Sequence, residues 1–188
     1  MTRRIKFTDY IRRIAKANPK LAEKLYKAYE KTINKLSFEA LHELLDLILE
    51  NVNAFGTWQN AGRARAYLFE EFMVKLLSKH LRGYRISHGE RVEIENDYKM
   101  EFDIVVKRDS RIIAFIECKV DMDAARLKTS AFSLMLAKSA HQNSKTFIVY
   151  LNSSVDEKLL EIVGKRIDYI VQLNEENLEK ILHEISTD

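Results

Sequence analysis

The hydrophobic period of this chain changes near residue 84, and no other feature limits the fold as strongly. Up to Leu81 the apolar residues recur at helical spacing. Residues 8–16 show it first. Asn18-Pro19 then reads as an N-cap followed by proline at the first helical position, opening a helix to about Asn34. Leu36–Asn51 is a third helix, opened by Ser37 and apolar on a broad stripe. Residues 53–62 interrupt the pattern with glycines and amides, and read as a loop. A long helix is expected from about Ala61 to Leu81, its apolar face built by Leu68, Phe69, Phe72, Met73, Leu76 and Leu77.

Beyond that point residues 84–95, 99–107 and 111–119 read as strands, with Asp97 and Lys99 in the first connection. Lys107-Arg108-Asp109-Ser110-Arg111 makes a tight polar turn, so the second and third strands form a hairpin. A helix over 125–142 leads to the almost wholly apolar strand 146–151, the pattern of a strand buried on both faces. A helix over 155–165, a strand Tyr169–Gln172 and a helix Glu175–Ser186 complete the order. Three successive strands followed by helix-connected ones imply an α/β fold: a mixed sheet flanked by helices, behind an N-terminal helical lobe. The expected division is 1–55 for the lobe and 56–188 for the core.

Composition excludes several classes. The 188 residues hold one cysteine, Cys118, so no internal disulfide framework exists and a reducing compartment fits. The N-terminal stretch lacks the apolar run of a secretory signal, and no apolar run reaches the ~18–20 residues that span a bilayer. The expectation is a cytoplasmic protein without a membrane partner. The net charge of +3 is unevenly spread: residues 1–35 hold eleven Lys/Arg against Asp9, Glu23 and Glu30, a net of +8. Residues 36–55 carry −4. A basic segment suits a polyanionic partner, and equally a solvated lysine-rich helix face.

The chemistry-bearing residues lie on the hairpin. An acid-x-Lys triplet occurs as Asp97-Tyr98-Lys99, Asp156-Glu157-Lys158 and Glu117-Cys118-Lys119. The first falls in a turn and the second at a helix start, where acids favour the helix dipole. The third ends a strongly apolar strand, where charges are costly unless paired or bound to a metal. Residues two apart on a strand point to one side, so Glu117 and Lys119 project together. The hairpin brings Asp103 beside Glu117 despite fourteen positions of separation. The alternative role is a structural Glu–Lys pair at the end of a sheet.

This region resembles the PD-(D/E)xK nuclease superfamily, the restriction-endonuclease-like class, whose shared core is helix, three strands, helix, strand (αβββαβ). The order here matches from Ala61 to Leu151. Arg63-Ala-Arg-Ala-Tyr-Leu-Phe-Glu-Glu-Phe-Met-Val-Lys-Leu-Leu77 looks like the family's first helix. Its Phe-Glu register assigns the helix acid to Glu70, with Glu71 as second choice. Glu-Phe stands before Asp103 where the family name has proline. The resemblance implies a Mg²⁺-dependent endonuclease acting on double-stranded DNA, with Mn²⁺ able to substitute. The catalytic set would be Glu70, Asp103, Glu117 and Lys119. Asp103, Glu117 and the backbone carbonyl of Cys118 would hold the metal, Glu70 joining through a water or at a second metal position. Lys119 would orient or help deprotonate the attacking water.

Mg²⁺ takes oxygen ligands and keeps several waters, so one to three carboxylates suffice. The five histidines do not cluster, and no zinc spacing or Gly-rich phosphate loop is present, so neither zinc nor ATP is expected. Trp58, Gln59, Asn60, Arg63 and Arg65 crowd the segment before the core helix, with chemistry suited to phosphates, base edges and stacking. Trp58 could equally pack at the lobe junction, with the arginines as surface charges. Arg126 and Lys128, after the catalytic strand, would touch the scissile-strand phosphate or form structural salt bridges. The leading reading is a homodimeric, sequence-specific type II restriction endonuclease, since two active sites are needed to cut both strands. The competing readings are a structure-selective junction or repair nuclease, a non-catalytic DNA-binding module, and a structural α/β protein with an incidental triplet.

Overall fold

A computed structural model describes residues 5–187, so Arg3 and Arg4 of the basic segment lie outside the described residues. The chain forms two compact units, Met1–Leu76 and Leu77–Asp188.

In the first unit, α1 (Phe7–Ala15), α2 (Pro19–Lys35) and α3 (Phe38–Glu50) are followed by a 3-10 turn, Val52–Phe55, and by α4 (Trp58–His80), which runs through the unit boundary. Asn18 caps α2 by accepting from the Leu21 N–H at 3.1 Å, with Pro19 behind it as expected. Leu36 is not the first residue of α3. It closes α2 in the left-handed region (φ 53), and Ser37 caps α3 by accepting from the Ala40 N–H. Phe7, Leu25, Leu41, Leu44 and Ile48 are fully buried.

The first unit takes in α4 as far as Leu76, and the ties of α4 explain why. Phe72 packs edge-on against Phe38 of α3 at 5.7 Å. The carboxylate of Glu71 accepts from the Phe7 N–H of α1 at 2.9 Å and from the Tyr29 hydroxyl of α2 at 2.9 Å.

The second unit holds a five-stranded sheet in the order β1 (Arg85–Glu95), β2 (Tyr98–Arg108), β3 (Arg111–Met122), β4 (Lys145–Ser153), β5 (Tyr169–Gln172). The β1–β2 and β2–β3 pairs are antiparallel, and β3–β4 and β4–β5 are parallel. The mixed sheet flanked by helices is therefore as expected. Asn96-Asp97 and Asp109-Ser110 turn the two hairpins, each residue at positive φ, the geometry that Asn and Asp tolerate best. Lys99 lies in β2 opposite Glu93, not in the connection, because only two residues turn the chain. Met122 ends β3 three residues past the expected 119, since β4 pairs with it through Ser153.

The helices α5 (Ala124–Ala140) and α6 (Glu157–Gly164) cover one face of the sheet through Val105, Phe115, Ile148 and Ile170. On the other face α7 (Glu175–Ser186) meets Tyr169, whose hydroxyl bonds Glu184 and whose ring stacks on Phe147 at 4.7 Å. Among the described residues no helix is long and apolar enough to cross a membrane.

Glu71 is thus a structural carboxylate. Glu71→Ala leaves the Phe7 N–H and the Tyr29 hydroxyl without an acceptor, at about 1–3 kcal/mol for each group that stays buried. Urea or thermal unfolding should show a loss of about 2 kcal/mol or more, and Tyr29→Phe a smaller one. Wild-type stability in Glu71→Ala would refute this role.

Candidate active site

The β2–β3 ladder runs up from the turn and its last regular pair is Ile104–Ile116. The next positions on the two strands are Asp103 and Glu117, and there a side chain replaces the backbone ladder. The Cys118 N–H donates to Asp103 Oδ2 at 2.9 Å. Lys119 Nζ reaches three oxygens at once: Asp103 Oδ2 at 3.0 Å, Glu117 Oε2 at 2.9 Å and the Cys118 carbonyl at 3.1 Å. The three charged side chains are only 19%, 16% and 12% exposed for Lys119, Asp103 and Glu117. Burial alone would push the Lys119 ammonium toward deprotonation. The charges of Asp103 and Glu117 outweigh it and hold the pKa above the ordinary lysine range.

The parallel strands end at this same edge. Lys119 stands in register with Tyr150, and Tyr150 with Gln172. Asp121 pairs with Asn152, whose amide donates to its carboxylate at 3.1 Å. In open α/β sheets the carboxyl ends of the strands are where ligands bind. Tyr150 and Asn152 had no signal in the sequence, because β3–β4 register cannot be read from spacing. The oxygens gathered here are two carboxylates and a carbonyl, all hard donors. Among the described residues no three His, Cys, Asp or Glu side chains converge. That set fits Mg²⁺, which needs no protein cage.

Of the two acids that α4 offers, Glu71 is engaged by Phe7 and Tyr29. Glu70 is the buried one, 4% exposed. Trp58–Arg65 forms the first two turns of α4, which begins three residues before the expected Ala61 because Thr57 caps the helix: its hydroxyl accepts from the Asn60 N–H at 3.1 Å and its carbonyl from the Ala61 N–H at 3.0 Å. Asn60 is held in the preceding turn, its amide donating to the Phe55 carbonyl at 3.2 Å. Trp58, Gln59 and Arg63 are exposed, Trp58 at 72%, and Arg65 is half-buried. Arg126 folds back on the start of α5, donating to the Asp121 carbonyl at 2.9 Å and pairing with Asp123 at 3.1 Å. Lys128 is exposed.

Sequence comparison finds no matching family model and no matching curated protein. Solved structures similar in fold include two restriction endonucleases. The restriction endonuclease PspGI–substrate DNA complex aligns with TM-score 0.56 at 11% identity, over 97% of this chain and 83% of that one. The type IIF restriction endonuclease Bse634I with cognate DNA aligns with TM-score 0.55 at 13% identity, over 79% of this chain and 86% of that one.

The charge cluster has a measurable signature in metal-free buffer. Lys119→Met removes the cation and leaves the carboxylates of Asp103 and Glu117 facing each other with little exposure, a like-charge pair whose repulsion protonation relieves. Such groups bind more protons in the folded state, so stability falls as pH rises. The deficit against wild type should be small at pH 4 and reach about 3 kcal/mol at pH 8, the scale for breaking a buried pair. Denaturant unfolding across that range checks it, and a pH-independent deficit would contradict the ion-pair geometry.

Proposed function

We propose that this chain, which has the restriction-endonuclease-like fold, is a metal-dependent nuclease hydrolysing phosphodiester bonds in double-stranded DNA. One observation carries the reading. Asp103, Glu117 and the Cys118 carbonyl converge on a single cationic position, filled by Lys119 Nζ, at the carboxyl edge of the sheet. The two structures reported above hold restriction endonucleases with DNA. The finer reading is a sequence-specific type II restriction endonuclease, working as a homodimer so that each strand meets one active site. Residues 56–188 are assigned as the nuclease core and 1–55 as its helical lobe.

Asp103, Glu117 and the Cys118 carbonyl would hold Mg²⁺ or Mn²⁺, and Glu70 is the further candidate ligand. The bound ion would supply charge neutralisation at the phosphate and lower the pKa of a bound water. The protein's part is positional. The Cys118 N–H fixes Asp103 so that Oδ2 cannot swing away from Glu117. Lys119 Nζ, carried two residues beyond Glu117 on the same strand, would orient the attacking water, and would take its proton only once a bound cation replaces it as the counter-charge of the two carboxylates that hold it protonated. Arg126 and Lys128 hold the scissile-strand phosphate, and Trp58, Gln59, Asn60, Arg63 and Arg65 on the first turns of α4 hold the DNA. Arg126 would have to exchange its contact with Asp121 for that phosphate.

Purified protein incubated with unmethylated plasmid and phage DNA in Mg²⁺ should give discrete bands on a gel. Asp103→Ala, Glu117→Ala and Lys119→Ala should each lower the rate by about 10²–10³-fold or more, and chelation should abolish it. A smear lost in Asp103→Ala would keep the nuclease and remove sequence specificity. No cutting of plasmid, phage or branched DNA in either metal would overturn the catalytic reading.

A further inference from the structure

Helix α2 of the first unit departs from the local rules of helix stability. Lys20, Lys24, Lys27, Lys31 and Lys35 recur at spacings of four, three, four and four. At about 100° per residue they fall within about 80° of arc, so they form one stripe along the helix. All five are exposed, on the side away from the buried Ala22, Leu25 and Thr32. Like charges four apart repel on a helix surface, and Lys20–Lys24, Lys27–Lys31 and Lys31–Lys35 are three such pairs. The first turn of α2 holds no acid and carries Lys20, where the positive end of the helix dipole disfavours a cation. Lys35, at the carboxyl end, has a local reason.

Little within the unit compensates. Lys27 pairs with Glu23 at 2.6 Å and Lys31 with Glu43 of α3 at 2.8 Å. Both pairs are exposed to solvent, so each is worth little. Glu30 lies beside the Tyr26 hydroxyl instead. Lys20, Lys24 and Lys35 make no ion pair among the described residues. Helix stability therefore does not account for the stripe, and breaks in local consistency of this kind fall at functional surfaces.

From Lys20 to Lys35 the stripe runs fifteen positions, about 22 Å at ~1.5 Å per residue. One strand of duplex DNA carries a charge about every 3.4 Å of axis, so the stripe spans about six phosphates. An ammonium on a flexible stem is a point charge that holds phosphate without reading a base edge. A membrane surface fits worse, because a helix lying on lipid needs a free apolar face. The apolar face of α2 is packed against α1 and α3. We infer that the α2 stripe is a sequence-independent contact for the phosphate backbone of duplex DNA. The choice of DNA rests on the nuclease reading above. The stripe gives the helical lobe its own function, affinity without discrimination.

Fluorescein-labelled short duplexes of two unrelated sequences, titrated with Mg²⁺ withheld and followed by anisotropy across a salt series, test it. Lys20→Gln with Lys24→Gln and Lys35→Gln should weaken both duplexes equally, by about tenfold or more. Three lost phosphate contacts should lower the slope of log K against log salt by about 2–3. Glutamine has nearly the helix propensity of lysine and the positions are exposed, so circular dichroism should be unchanged. Arginine at the same three positions should keep the wild-type slope. The control is Lys158→Gln with Lys165→Gln and Lys180→Gln, an equal charge loss at exposed positions of the second unit, which should leave the slope unchanged. An unchanged slope in the α2 variant, or an equal fall in the control, would overturn the stripe and leave the nuclease reading standing. A loss confined to one duplex would overturn it too. A fall specific to the α2 variant, in a protein that cuts no DNA in Mg²⁺, would keep the stripe and remove the nuclease. Wild type that binds no duplex would remove both.

Discussion

The ammonium of Lys119, held by Asp103 Oδ2, Glu117 Oε2 and the Cys118 carbonyl, is the interaction around which this sheet edge is organised. Two carboxylates that close together repel, and removing them from water is costly. One cation among three oxygens answers both problems. It also explains why the β2–β3 ladder gives way after Ile104–Ile116. A side-chain oxygen of Asp103 takes the Cys118 N–H, which leaves that backbone donor satisfied while the strands separate. The opening that results is where hard oxygen atoms gather, and such a gathering suits a divalent cation.

Register makes this possible, and it is set by the turns together with one register shift in the β2–β3 pair. Both hairpins are closed by two residues in the left-handed region, Asn96-Asp97 and Asp109-Ser110. A slip of one residue would move every side chain to the opposite face. Asp103 would then leave Glu117, and Phe115 would leave the apolar face shared with Val105 and Ile148. The Asp109-Ser110 turn sets Arg108 against Arg111, and a one-residue register shift between Lys107–Ile112 and Val106–Ala114 then brings Asp103 level with Glu117.

Much of this was legible before any coordinates. The period change near residue 84, the hairpin over 107–111 and the Glu117-Cys118-Lys119 triplet at the end of an apolar strand sufficed to pair Asp103 with Glu117. Strand β5 and helix α7 fall on the residues expected. The misread elements share a cause. Thr57 as a helix cap and Leu36 as a left-handed helix end are backbone events that residue type signals weakly, so Trp58–Asn60 read as a loop and Leu36 as helical. The choice between Glu70 and Glu71 was open for a different reason. Adjacent helix positions differ by about 100° in direction, and only the bonds from Phe7 and Tyr29 identify Glu71 as structural.

The amino-acid order alone determined the class of fold, the hairpin and the identity of the acid-x-Lys cluster. Those follow from local periodicity and from the cost of burying charge at the end of an apolar strand. Tertiary structure alone decided that Lys119 bridges both carboxylates and the Cys118 carbonyl, and that Tyr150 and Asn152 share their edge. Each of these depends on register between strands far apart in sequence, and register is set by packing across the whole sheet.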